Sequence, residues 1–72
     1  MPHETREQAE AQAKENGIDV SQVVNTKVGY FIAPQGIKSK VAKQAYGNNR
    51  ANGMDKESAA KIAWSIEKKV NP

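Results

Sequence analysis

The chain has no cysteine and no leucine, and only one histidine and one tryptophan. Without cysteine there is no disulfide and no thiolate metal site, which also fits a reducing compartment. His3 stands alone near the N-terminus, so it can form neither a histidine metal cluster nor a nucleophile–base pair with cysteine. Gly17, Gly29, Gly36, Gly47 and Gly53 are dispersed, and none has the spacing of a phosphate-cradling loop. Glu4, Glu7 and Glu10 fan over a broad arc of a helix start rather than converging. These absences argue against an enzyme, and no catalytic residue, metal or cofactor is expected. No apolar run approaches the ~20 residues of a membrane span. The opening stretch MPHETREQAEAQAKENG lacks the apolar region of a signal peptide. The expected setting is cytoplasmic, in a bacterium, or as the product of a phage or plasmid living in one.

With leucine missing, the apolar load falls on six valines, five isoleucines and ten alanines. The 72 residues suffice for a single domain, 1–72, with 1–3 and 71–72 expected to be disordered. A domain of this size buries only about 60% of the surface its unfolded chain exposes. Bulky anchors are few: Tyr30, Phe31, Tyr46, Met54 and Trp64. Trp64 is expected to contribute most to the core.

The spacing predicts a first helix over 4–16, rich in good helix formers. Its apolar stripe, Ala9 and Ala13, is thin, so it should pack loosely. Asn16-Gly17 predicts a left-handed ending that brings Ile18 back to Ala13. Residues 20–33 change to strand-favouring types. They read as a hairpin with strands near 22–25 and 28–33, helices covering one face. A second reading caps a short helical turn at Asp19 or Ser21 and leaves one strand. In the hairpin Tyr30 and Phe31 point to opposite faces, so at least one is a candidate for exposure. Pro34-Gln35-Gly36 forms a turn. A second helix follows from about Ser39 and stops either at Tyr46 or at Ala51. The third helix is the best specified. Asp55 caps it, and Ala59, Ile62, Ala63, Ile66 and Val70 recur at helical steps. The expected fold is therefore α+β: helix, hairpin, helix, helix, with a two-stranded antiparallel ribbon on the two C-terminal helices.

Charge is distributed unevenly. Up to residue 24 there are five acids and two bases, a balance of −3; from residue 25 there are nine bases and three acids, a balance of +6. That asymmetry points to an anionic partner for the basic portion. The candidate nucleic-acid-binding residues are Lys38, Lys40, Lys43, Asn49, Arg50, Lys61 and Lys68. Lys43, Gly47 and Arg50 share a face if the second helix is continuous, and Gly47 there would let a phosphate backbone approach. Lys61, Ser65 and Lys68 line a face of the third helix beside Trp64. The bland reading of the same residues is a solvated lysine surface that keeps a small domain soluble. A helix-turn-helix is disfavoured, because the third helix would present Asp55 and Glu57 to the phosphates. An acidic protein is the alternative partner, and the oligomeric state is open.

The run Ser58–Lys69, SAAKIAWSIEKK, resembles the C-terminal helix of ChaB-like proteins, small bacterial and viral proteins with an A-x-K-[IV]-A-W-x-[IV]-x-K pattern. The similarity covers about a dozen residues. Ala63-Trp64 with Lys61 and Lys68 are its most specific part. It implies a small accessory protein, with a suggested link to the regulation of cation transport, and assigns no site.

Overall fold

Helix α1 spans Arg6–Glu15 in a computed structural model that describes residues 2–71. It starts later than composition predicts because Thr5 caps it. The Thr5 hydroxyl accepts the Gln8 amide at 3.2 Å, and the Gln8 side chain accepts the Glu4 amide at 3.2 Å. This is a variant of the reciprocal capping pair, and Thr5 with Gln8 three residues on was its sequence signal. The ending is as predicted. Gly17 takes φ +70°, its amide reaches the Lys14 carbonyl, and the Ile18 amide reaches the Ala13 carbonyl at 2.8 Å.

A short 3₁₀ turn, Val20–Gln22, follows, with Asp19 accepting the Ser21 amide at 2.8 Å. The hairpin reading holds; the alternative is right about the turn capped by Asp19 but not about a single strand, since both strands form. Strands β1 (Val23–Thr26) and β2 (Gly29–Ile32) pair antiparallel. Val23 stands opposite Ile32 and Val24 opposite Phe31. His3, placed by the sequence in a disordered end, exchanges two backbone hydrogen bonds with Tyr30 at 2.9 and 2.8 Å. Met1 and Pro72, assigned to the same disordered ends, lie outside the described residues.

Helix α2 runs Lys40–Ala51 and α3 runs Lys56–Val70. The second helix passes Gly47-Asn48-Asn49 without a break and stops at Asn52-Gly53. Ser39 caps α2 and Asp55 caps α3 through their side chains. The hairpin is covered on both faces, not one. Alternation sends Val24 and Phe31 to the face shared with Tyr46, Ala42, Ala59 and Ala63. The opposite face, with Val23 and Tyr30, takes α1. There the Arg6 guanidinium lies 5.2 Å from the Tyr30 ring centroid. Ala9 and Ala13 are wholly buried, so α1 is an integral layer and not a loose one.

The core consists mainly of small residues. Ala33, Ala42, Ala59 and Ala63 are inaccessible to solvent, beside Ile37, Tyr46, Phe31 and Val24. Such a core requires close approach of its elements, and Gly47 supplies it. A β-carbon on Gly47 would sit 2.5 Å from Val24 Cγ2 and 3.0 Å from Thr26 Cγ2. Trp64, by contrast, is 38% exposed and is not the core's main contributor. Its ring edge covers the Gly36 turn instead, with Cη2 3.0 Å from where a β-carbon would stand. The stripe of α3 is also rotated from expectation. Ala59, Ala63 and Glu67 face inward with Ala60 and Ile66 beside them, while Ile62 and Val70 face outward.

The turn before α2 is held by one buried side chain. Gln22, 4% exposed, donates from Nε2 to the carbonyls of Pro34 at 2.6 Å and Ile37 at 2.8 Å. Gln22→Leu keeps the volume but removes both bonds; the buried Ile37 carbonyl loses this donor, while the Pro34 carbonyl keeps the Ile37 amide at 3.4 Å. The expected loss is about 2–3 kcal/mol in urea denaturation; a variant within about 0.5 kcal/mol of the parent contradicts this role for Gln22.

Candidate nucleic-acid interface

The seven candidate residues fall on three different parts of the surface. Lys61 and Lys68 are exposed on α3, three residues before and four after Trp64. These steps place all three side chains along one side of the helix. The Trp64 indole lies over the Pro34–Gly36 turn, and the exposed Lys38 follows that turn. An aromatic face with three lysines around it results.

Lys40 and Lys43 lie elsewhere. With Arg6 from α1 they line a groove of about 340 Å³ along β1, together with Ser21 and Asn25. Lys43 Nζ donates to the Ser21 carbonyl at 3.1 Å. Arg6 had no sequence signal, because only the fold brings it across the hairpin to Lys40.

Arg50 and Asn49 belong to neither surface. Arg50 is half-buried. Its Nη1 donates to the Met54 carbonyl at 3.0 Å, and its guanidinium lies 5.5 Å from the Phe31 ring centroid. Asn49 is half-buried, and its backbone carbonyl accepts the Met54 amide. The expected face of Lys43, Gly47 and Arg50 does exist, but it turns toward the hairpin. Gly47 is buried against Val24, so it cannot admit a phosphate backbone. Two neighbouring asparagines also have internal partners: Asn52 accepts Lys27 Nζ at 2.6 Å, and Asn48 accepts the Gln44 side-chain amide at 3.0 Å.

One carboxylate sits among these cations. Glu67 Oε1 accepts the Ser39 amide at the start of α2 at 2.8 Å, and Oε2 accepts the Asn71 side chain at 3.2 Å. The bond from Ser39 is the main cause holding the carboxyl below its ordinary value of 4.5, and Lys38 pulls it the same way. Partial desolvation opposes them. A negative charge at a helix N-terminus is also favoured by the dipole. Glu67 therefore ties the end of α3 to the start of α2 and offsets part of the Lys38 charge.

No protein-family model, curated protein or solved structure that was compared with the chain matches it.

The depressed Glu67 carboxyl fixes a pH dependence. Its folded value lies below its unfolded one, so its stabilisation is complete above about 4.5 and fades as pH falls through the folded value. Glu67→Gln is expected to melt below the parent at pH 7, with the gap narrowing toward pH 3. Asp19 and Asp55, also held low by their capping bonds, titrate in both proteins and cancel. Thermal melts across this range check it, and a gap that does not change with pH contradicts it.

Proposed function

We propose that the chain is a small non-catalytic accessory protein that binds single-stranded nucleic acid through the face of Trp64, Lys61, Lys68 and Lys38. The observation that carries this reading is the exposed indole between two exposed lysines on one side of α3. The part of the indole left uncovered offers a large aromatic surface, and a base can stack on it irrespective of sequence. Lysines at these distances along a helix follow a phosphate backbone. Lys40, Lys43 and Arg6 supply a second basic groove for a strand that continues past the first face.

An acidic protein is the second reading, and one observation favours it. Val41, Ile62 and Val70 are 64%, 39% and 52% exposed, and apolar side chains beside lysines suit an acidic amphipathic partner.

Because Trp64 is the only tryptophan, its fluorescence reports on the proposed face alone. Oligothymidine is expected to quench it saturably at low salt, with affinity falling steeply as salt rises. The double variant Lys61→Gln/Lys68→Gln should reduce the slope of log K against log salt by about 1.4, two single-strand phosphate contacts. Unchanged fluorescence at saturating oligothymidine and low salt overturns the proposal. A stoichiometric protein partner retained after nuclease treatment supports the second reading.

A further inference from the structure

A second concave site opens beside α2, lined from α2, β2 and the start of α3 and not by Trp64. Its volume is about 390 Å³, within the range of small-molecule sites. Ile18, Phe31 and Pro34 form its apolar floor, and Tyr46, Arg50 and Lys56 bring polar groups to it. His3, fixed on β2 by its two backbone bonds, forms part of the wall. Among the described residues that line it, none is acidic.

Arg50 is the distinctive group. Its Nη1 and its stacking partner are satisfied within the chain. Its Nε is buried and meets no acceptor among the described residues. A buried N–H without an acceptor is costly, and the lining offers no carboxylate to supply one. The guanidinium's permanent positive charge suits a carboxylate through whatever Nη1 and the enclosed Nε leave free, and Lys56 adds a second positive charge at the same site. Burial also raises the Tyr46 phenol above its ordinary value, with the Arg50 charge acting against that rise. Tyr46 therefore stays a neutral hydroxyl that can donate to an anion.

We infer that this pocket binds a small organic acid, its carboxylate held by Arg50 and Lys56 and its ring or branched aliphatic body resting on Ile18, Phe31 and Pro34. The site is distinct from the nucleic-acid face, since Trp64, Lys61 and Lys68 do not line it, although Pro34 belongs to the turn that Trp64 covers.

Benzoate is the probe and benzamide its neutral control, titrated into the full chain and followed by ¹H–¹⁵N correlation spectra. Benzoate is expected to shift the Arg50 Nε–H signal and the amides of Ile18 and Phe31 saturably in the millimolar range, with benzamide far weaker. Lys56→Gln, an exposed first-turn position whose change leaves the core alone, should weaken benzoate about threefold to fivefold. Absence of saturable shifts, equal response to benzamide, unchanged affinity in Lys56→Gln, or shifts centred on Trp64 each overturn the inference.

Discussion

Helix α2 lies on strand β1 at a separation that only a glycine at position 47 permits. Val24 Cγ2 occupies the place a β-carbon would need. Val24 is itself buried and β-branched, so it cannot readily swing away. This contact sets how near the helical layer comes to the hairpin, and therefore how small the residues between them must be. Ala33 and Ala42 fill that space, with Ala59 and Ala63 bringing α3 into it. A leucine-free core is workable for this reason: short side chains exclude water only where backbones are already close. The same logic holds across the hairpin, where Ala9 and Ala13 of α1 are wholly buried.

Close packing leaves little room for water around polar groups, and two side chains satisfy the backbone where layers meet. Gln22 serves the turn between β2 and α2 through two carbonyls. Glu67 serves the N-terminus of α2 from the last turns of α3. Both join segments far apart in sequence, so each links the order of the α2 entrance to the integrity of another element. Function is arranged around that frame. The approach that buries Gly47 also turns Arg50 inward beneath Phe31, which removes it from the outer basic surface and places it in a pocket.

Much of the fold could be read from local signals. The Asn16-Gly17 stop, the hairpin, the Asp55 cap and the order of elements depend on neighbours a few residues away, and the structure has them. The length of α2 was open because Gly47-Asn48-Asn49 is poor helix material in isolation; contact with β1 overrides that preference. Local periodicity misplaces the inward line of α3, because Ile62 and Val70 are more apolar than Ala59 and Ala63. Burial here is decided by size at a close interface, and alanine fits where isoleucine does not. Bulk alone points Trp64 to the core, yet a core built at alanine distances has no place for an indole. Of the candidate site, the line of Lys61, Trp64 and Lys68 was legible because it lies on one helix. The groove of Arg6 with Lys40 and Lys43, and the pocket of Arg50, arise from tertiary contacts that leave no mark in local spacing.

The central claim is that close approach at Gly47 governs the packing, and it conflicts in sign with helix propensity. In an unconstrained helix interior, glycine to alanine stabilises by about 0.5–1 kcal/mol. At this position the added methyl group must displace Val24 and part α2 from β1, at a cost of about 1–3 kcal/mol. Equilibrium unfolding of Gly47→Ala beside the parent is the most direct measurement. The account predicts a lower melting temperature and a lower unfolding free energy for the variant. A variant as stable as the parent, or more stable, would contradict it.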